Sequence, residues 1–259
     1  MRALRAADEL REAVEAYLGS LSFAPELGRL EETLRYALES GGKRVRPVLC
    51  LAVAEAAGGE VEGALPAAAA VELVHTFSLV HDDLPALDDD AERRGRPSAH
   101  VAHGEGVALL AGDALLVEAF RLALAYDDAG IARELADATL GMIAGQHRDI
   151  TGDDGDLAAV QRLKTGRLFA AAVGLGLRAA GVPAGEQATW RAFGEELGLL
   201  FQVVDDLLDG DGFAARLGED GARALADDAA ERARDRLAGI SADTSVLLEL
   251  VDGLAVRTS

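Results

Sequence analysis

The sequence has little cysteine, few aromatic residues and no long apolar run. Cys50 is its one cysteine, which excludes a disulfide framework and a cysteine-based zinc site, and its apolar neighbours predict a core residue. Aromatic residues make up only 4% of the chain, and runs of β-branched residues are few. The alanine, leucine and glutamate that dominate the remainder favour helix nearly everywhere.

Signals for secretion or membrane insertion are also missing. No apolar run approaches the roughly 18 residues expected of a transmembrane helix, and no charged segment followed by a short apolar segment opens the chain. We therefore expect a cytoplasmic protein without a membrane span. The 259 residues, half of them hydrophobic, are enough for one large domain or two small ones.

Positive charge is scarce and unevenly distributed. The formal net charge of −20 argues against nucleic acid or an anionic membrane surface as the main partner. Among 25 basic residues only Lys43 and Lys164 are lysines, and each lies in a glycine-bearing basic segment, GGKRVRP or KTGR. Lysine is a compact charge that suits a phosphate oxygen. If the substrate is an anion, these two segments are the predicted binding groups.

The first group of candidate functional residues is acidic. Five carboxylates fall within the nine residues 82–90, at the end of an apolar segment, and Arg93 and Arg94 follow. Crowded carboxylates repel one another unless a cation binds them. Mg²⁺, which is held by one or two carboxylates together with substrate phosphates, is the natural candidate. The alternative is a solvated acidic turn in a chain that is acidic throughout.

A second acidic cluster, FQVVDDLLD at residues 201–209, favours the metal interpretation. On a helix predicted over Glu186–Asp209, its amide and three carboxylates form one stripe. The preceding segment is apolar, so the stripe is predicted to face a cavity, with an exposed acidic face as the alternative. Two such clusters can face each other across a helical bundle, where metal sites are common. The stripe consists of Gln202, Asp205, Asp206 and Asp209.

The spacing of apolar residues predicts helices along most of the chain. One long helix, Glu62–Asp83, brings His75, Ser78, Leu79 and Asp82 onto one face. Asp88 to Arg94 should form a turn that folds back over its end, and 151–156 a polar loop. The other predicted helices cover 4–18, 28–39, Lys43–Ala57, Glu105–Ala125, Ile131–Ile150, a segment that carries Lys164 and Thr165 to Ala180, and Ala222–Leu237.

Facing carboxylates, divalent metals and cationic side chains on two separate segments describe a site for diphosphates. A cavity otherwise lined by alanine, leucine and valine would suit a hydrocarbon tail. Ionisation of an allylic diphosphate to a carbocation inside a dry apolar pocket fits this layout. No strong protein base is required, because the released diphosphate can take up the proton.

Six motifs follow one another within residues 30–210: GGKRVRP, HTFSLVHDDLPALDDDAERRG, AGDAL, GQ followed by Asp149, KTG and FQVVDDLLD. In this order they resemble the motifs of the trans-isoprenyl diphosphate synthases, with the bacterial farnesyl diphosphate synthases most similar. The resemblance implies an all-α, single-domain bundle of about ten or more helices around a deep central cavity, over residues 1–259. It also implies a homodimer, several Mg²⁺ ions, and condensation of isopentenyl diphosphate with an allylic diphosphate such as dimethylallyl or geranyl diphosphate.

The same resemblance assigns roles to individual residues. An aromatic residue at Phe77, followed by Ser78, would favour a fifteen-carbon product, farnesyl diphosphate. Asp82, Asp88, Arg93, Lys164 and Asp205 are the expected catalytic residues. The metal ligands or their partners are Asp82, Asp83, Asp88, Asp205, Asp206 and Asp209. The isopentenyl diphosphate site is Lys43, Arg46, His75 and Arg94, and the groups around the allylic diphosphate are Arg93, Lys164, Thr165 and Gln202.

The chain departs from the family pattern after residue 210. Family members continue with a lysine and then a Gly-Lys-Ser/Thr-Thr-Tyr-like segment, whereas here Glu219 stands where a cation is expected. Arg216 or Arg223 could substitute for a lysine, although the two side chains are not equivalent. Two alternatives therefore stay open: a catalytically impaired homologue that acts as a diphosphate-binding or partner subunit, and a class I terpene cyclase. GGKRVRP and the Arg93–Arg94 pair argue against the cyclase, which needs no second diphosphate site.

Overall fold

The computed structural model describes residues 4–39, 41–152 and 157–256, and these residues form an almost entirely helical bundle. The α-helices are α1 (Ala7–Ser20), α2 (Leu30–Leu38), α3 (Val45–Ala56), α4 (Val61–Asp82), α5 (Ala99–His103), α6 (Glu105–Ala123), α7 (Ala129–Thr151), α8 (Leu157–Gln161), α9 (Arg167–Ala179), α10 (Ala188–Asp209), α11 (Gly212–Ala238) and α12 (Ser245–Ala255). The prediction of an all-α fold is confirmed.

Helix α4 is the centre of the bundle. It packs against α3, α6 and α9, and its alanines and valines are almost fully buried. This helix is long and apolar enough to cross a membrane by length and composition alone. Two thirds of its apolar stretch, 67%, is buried inside the protein, so its apolar character is that of a core helix surrounded by other helices.

Two local features differ from the prediction. The turn after α4 contains a short antiparallel pair, β1 (Glu92–Arg93) and β2 (Arg96–Pro97), because Arg94 and Gly95 both adopt positive φ angles and reverse the chain. The predicted helix that carries Lys164 and Thr165 is present and ends at Ala179, but it contains a π-helical turn at Arg162–Gly166, between α8 and α9. Residues 153–156 of the predicted loop lie outside the described part of the chain.

The region after Asp209 is helical almost at once. Gly210 ends α10 in a left-handed conformation (φ 73°), and α11 begins at Gly212 and packs along α10. The long α11 is broken at Gly218, whose φ of 73° and ψ of 163° are not helical. The predicted helix over Ala222–Leu237 is therefore the second part of α11.

Candidate active site

A large open cavity lies between α4, α7 and α10. Its volume is about 810 Å³, enough for a drug-sized ligand with a long tail. The start of α3, the β1–β2 turn and the π-helical turn complete its wall. The predicted site residues that line it are Lys43, Arg46, His75, Phe77, Ser78, Asp82, Arg93, Arg94, Lys164, Thr165, Gln202 and Asp205.

The first acidic cluster folds back on itself at the end of α4. The backbone N–H of Asp88 donates to the carbonyl of Asp82 across 2.9 Å, as the predicted turn requires. The pKa of Asp82 is raised to about 6, mainly by burial and also by Asp88 and Asp83, against the lowering effect of Lys164 and Arg93. Ionised carboxylates in this cluster thus repel one another, and a bound cation would relieve the repulsion.

The members of this first cluster have different surroundings. Asp82 lines the cavity, whereas the Asp83 side chain is buried and accepts two hydrogen bonds, at 2.7 and 2.9 Å, from Nε of Arg93. Asp88 is exposed and is not among the residues that line the cavity. Asp83 therefore positions Arg93, which itself lines the cavity, and Asp82 is the carboxylate that faces the cavity directly.

The second cluster is divided in the same way. Asp205 lines the cavity, and burial raises its pKa, with Asp209 and Asp206 also raising it against the effect of Lys43 and Arg46. Asp206 is buried on another side of α10, where it accepts hydrogen bonds from Gln202 Nε2 (2.5 Å) and from the backbone N–H of Phe213 (2.8 Å). Asp209 is exposed. The predicted single stripe is therefore only partly correct as a cavity wall.

Within the described residues, no three side chains of histidine, cysteine, aspartate or glutamate form a ready-made metal cage. Mg²⁺ does not need one, since it commonly takes one or two carboxylates and completes its coordination with water and substrate phosphate. Asp88 lies close enough to Asp82, and Asp209 close enough to Asp205, to raise the pKa of the Asp82 and Asp205 carboxyl groups. Their oxygen donors fit Mg²⁺.

Several cationic side chains lie near the N-terminus of α3. Arg46 is buried, its guanidinium stacks on Phe169 (4.6 Å) and Phe201 (5.4 Å), and its Nε has no partner among the described residues. Burial lowers the pKa of Arg46 to about 10, so it stays protonated at neutral pH. Arg94 donates through Nη1 to the carbonyl of Gly41. A buried guanidinium with a spare N–H donor is suited to an anion.

A buried ion pair between Arg44 and Glu72 holds the segment that carries Lys43 against α4. Arg44 has a positive φ of 47°, and its Nη1 lies 2.6 Å from Oε1 of Glu72 on α4. Its Nε donates to Glu15 across 2.8 Å and its Nη2 to the carbonyl of Leu38 across 2.5 Å. Sequence reasoning missed Glu72, although a glutamate one helical turn before His75 on an apolar helix was a usable signal.

His75 and Phe77 lie on the α4 wall. Burial lowers the pKa of His75 well below its usual value, helped by Arg46 and Arg94, so the imidazole is neutral and can donate one hydrogen bond and accept another. The Phe77 ring is in an edge-to-face contact with His81, with centroids 5.1 Å apart, and it reaches the cavity. Ser78 donates to the carbonyl of His75 across 2.9 Å.

Lys164 and Thr165 lie on the π-helical turn and face the cavity. Such turns are frequent at functional sites, since they leave backbone groups outside the regular hydrogen-bond ladder. The Lys164 Nζ is hydrogen-bonded to Asp149 of α7. Gly145 allows α7 to pack this close to the π-helical turn, because a Cβ at residue 145 would lie 2.4 Å from the backbone nitrogen of Lys164.

Two arginines of α11, Arg216 and Arg223, were considered as substitutes for the missing lysines. Neither of them lines the cavity, and Arg223 pairs with Glu219.

Known proteins resemble this chain over most of its length. The family model for polyprenyl synthetase matches residues 28–231. A farnesyl diphosphate synthase of Geobacillus stearothermophilus is 38% identical over 82% of this chain and 77% of its own length. A geranylgeranyl diphosphate synthase of Cyanophora paradoxa is 41% identical over 69% of this chain, which spans only 64% of that relative. A heterodimeric geranylgeranyl pyrophosphate synthase large subunit of Arabidopsis thaliana is 39% identical over 88% of this chain and 72% of the subunit.

Solved structures agree with the sequence relatives. A geranyltransferase from Legionella pneumophila superposes with a TM-score of 0.87 at 32% identity, over 97% of this chain and 96% of that one. A geranyltranstransferase from Thermotoga maritima gives a TM-score of 0.85 at 30% identity, over 97% and 98% of the two chains. The resemblance seen in the six motifs is thus confirmed over nearly the whole described fold. The chain belongs to the polyprenyl synthetase family of prenyltransferases.

Proposed function

We propose that this protein is a trans-prenyltransferase that condenses isopentenyl diphosphate with an allylic diphosphate, dimethylallyl or geranyl diphosphate, to give farnesyl diphosphate. One observation carries the proposal: two acidic residues on different helices, Asp82 and Asp205, face one cavity that also receives two separate cationic groups. Lys43, Arg46 and Arg94 form the first group, and Arg93 with Lys164 the second. Two cationic groups suit two diphosphates.

The chain's own residues would divide the work as follows. Lys164, Thr165 and Arg93 bind the allylic diphosphate, and Lys43, Arg46 and Arg94 hold isopentenyl diphosphate, with neutral His75 as a hydrogen-bond partner. Mg²⁺ held at Asp82 and Asp205, with Asp83, Asp88, Asp206 and Asp209 as further ligands or their supports, would neutralise the diphosphate leaving group. The apolar side chains that line the rest of the cavity would exclude water from the carbocation.

The bond changes balance without a protein base. The allylic C1–O bond breaks and its electron pair leaves with the diphosphate. The double bond of isopentenyl diphosphate then attacks C1, forming the new C–C bond, and a proton is lost from its C2 to the released diphosphate. The residues bind, orient and keep the site dry, so the proposal needs no titrating side chain within reach of C2.

The assignment to farnesyl diphosphate depends on Phe77. Its ring reaches the cavity and is itself 7% exposed, so a growing tail would meet it. Phe77→Ala should shift the products toward twenty carbons or longer, because removing the phenyl ring enlarges the cavity by about the volume of that ring. Chromatography of the dephosphorylated products measures the change. An unchanged product length at matched turnover would contradict this role for Phe77.

The relatives leave the product open, since some are named farnesyl and others geranylgeranyl diphosphate synthases. The impaired-subunit alternative is favoured by one observation: neither Arg216 nor Arg223 of α11 lines the cavity as a substitute cation. The cyclase alternative stays weaker, because the buried Arg46 and the Arg94 beside it would have no diphosphate to bind.

We further propose a cytoplasmic, single-domain protein, residues 1–259, that forms a homodimer through α6. Val107, Leu110 and Val117 are spaced along one face of α6 and are exposed by 39%, 55% and 59%. In a chain with a net charge of −20, an apolar face is where two copies can meet with least repulsion. Leu110→Glu should convert a particle of twice 26.9 kDa into a monomer by light scattering. A monomeric wild type would contradict the homodimer and favour a second, different subunit.

The function is tested by incubating the purified protein with Mg²⁺, isopentenyl diphosphate and, separately, dimethylallyl, geranyl and farnesyl diphosphates. We expect a farnesyl-length product from the first two allylic substrates and none when EDTA removes the metal. Bound diphosphates without elongation would overturn the synthase and favour the partner-subunit alternative. A cyclised hydrocarbon would overturn both.

A further inference from the structure

His81, the residue before the first acidic cluster, contacts the aromatic residue to which product length is assigned. It lies on α4 one turn after Phe77, and side chains on a helix lean toward its N-terminus, so the imidazole leans over that residue. The two rings meet edge to face, with centroids 5.1 Å apart and an angle of 77° between their planes. Both residues line the cavity. The imidazole is therefore a direct neighbour of the ring that a growing tail would meet.

The imidazole of His81 is also fixed to α6. Its Nε2 donates across 3.0 Å to the carbonyl oxygen of Leu109, an atom that can only accept. Gly112 leaves the space for this contact, because a Cβ there would lie 2.2 Å from Nε2 and 2.3 Å from Cδ2 of His81. Glycine inside a helix lowers its stability relative to alanine, and here the missing Cβ is what lets the imidazole reach the α6 backbone.

A phenylalanine that borders a cavity can change rotamer when a longer ligand presses on it. Such a rotation at Phe77 would lengthen the space for a hydrocarbon tail without any substitution. The imidazole of His81 opposes this motion, because it packs against the ring and is itself hydrogen-bonded to α6. The hydrogen bond gives this support a fixed position that an apolar side chain of the same size would lack.

We propose that His81 is a positioning residue that sets the length of the product by holding the Phe77 ring in the way of the hydrocarbon tail. The proposal rests on the proposed prenyltransferase function and on the role of Phe77 in it. Helix α6 provides the fixed point, through the Leu109 carbonyl and the space at Gly112, and the imidazole transmits that position to the ring. No covalent bond forms or breaks at His81.

The test uses substitutions along this chain of contacts. His81→Ala removes the support and leaves Phe77 in place, and its combination with Phe77→Ala shows whether His81 acts only through that ring. Gly112→Ala keeps both rings and displaces the imidazole from α6. The matched control is Gly63→Ala on the same helix as His81, because a Cβ at Gly63 has nothing within 4 Å and lies about 27 Å along the axis from His81.

Three measurements separate product length from catalysis and from folding. The first is the distribution of ten-, fifteen- and twenty-carbon products made from dimethylallyl diphosphate and excess isopentenyl diphosphate, with kcat for the first condensation. The second is the Kd, with Mg²⁺ present, of unreactive thiolodiphosphate analogues of geranyl and geranylgeranyl diphosphate, which needs no turnover. Urea unfolding gives the stability of each variant.

For His81→Ala we expect the ratio of twenty- to fifteen-carbon product to rise by about 3- to 10-fold, because the edge-to-face contact that fixes Phe77 is lost. The geranylgeranyl analogue should bind more tightly by a similar factor. The Kd of the geranyl analogue and kcat for the first condensation should not change, since only the longer tail would press on the ring. Gly112→Ala should move the imidazole off α6 and further into the cavity, so that ten-carbon product accumulates. Gly63→Ala should change none of these quantities.

A loss of stability in His81→Ala with an unchanged product ratio would overturn the proposal and leave His81 as a structural residue. Further lengthening when His81→Ala is added to Phe77→Ala would also overturn it, since His81 would then act on the tail directly. If His81→Ala does not fold, Gly112→Ala decides, and an unchanged product distribution in that variant overturns the proposal.

A wild type that makes no product would instead defeat the proposed function. In that case the two analogues still decide the role of His81. Equal affinities of wild type and His81→Ala for the geranylgeranyl analogue overturn that role, and a selective gain of affinity for it over the geranyl analogue supports it.

Discussion

Asp82→Asn and Asp205→Asn should each lower kcat by about 10²- to 10³-fold with little loss of folding stability. Each is the member of its acidic cluster that lines the cavity, and asparagine keeps the size and one oxygen while removing the charge that attracts Mg²⁺. Burial raises the pKa of both carboxyl groups, so the folded protein gains nothing from their ionisation. Steady-state kinetics across a range of Mg²⁺ concentrations, together with urea unfolding, measure the two effects separately.

A neighbouring and a distant aspartate provide the controls. Asp83→Asn should act mainly through Arg93, which it holds at 2.7 Å, and so should raise the KM for the allylic diphosphate and lower stability. Asp228→Asn, on the exposed face of α11, removes the same charge far from the cavity and should leave kinetics unchanged. Comparable losses of kcat in Asp228→Asn and Asp82→Asn would contradict a local metal-binding role.

Periodicity predicted the helices and most of the cavity wall, because both depend on local sequence. The apolar run of α4 placed His75, Ser78 and Asp82 on one face, and all three line the cavity. It could not separate Asp205 from Asp206. Neighbouring side chains on a helix differ in direction by about 100°, and which of them faces the cavity depends on α11, whose Phe213 N–H binds Asp206.

Other features are invisible to local patterns because they arise from contacts between distant segments. The π-helical turn at Arg162–Gly166 coincides with the close approach of Gly145 to Lys164, a contact between separate helices. Phe77 is about 140° from Asp82 on a helical wheel, yet the cavity is wide enough to reach both. The partner of Arg44, Glu72, is 28 residues away in the chain.

That buried pair gives the second large effect. Arg44→Met should lower the free energy of unfolding by about 3–5 kcal/mol, because it leaves the Glu72 carboxylate buried without its counter-ion. The side chains of the pair are only 3% and 5% exposed. Arg44 also fixes the segment that carries Lys43 and Arg46, so the KM for isopentenyl diphosphate should rise more than that for the allylic substrate. Urea unfolding and separate KM measurements for the two substrates check both statements.

An exposed arginine and a double variant distinguish a buried charge from a general loss of arginine. Arg29→Met removes a side chain that is 93% exposed and 3.8 Å from Glu32, and should cost about 0–1 kcal/mol. Adding Glu72→Gln to Arg44→Met should recover part of the lost stability, because the uncompensated charge is gone. It should not restore the KM for isopentenyl diphosphate, since nothing then holds residue 44 in its left-handed conformation at φ 47°. Additive losses in the double variant would mean that the two residues stabilise the fold independently.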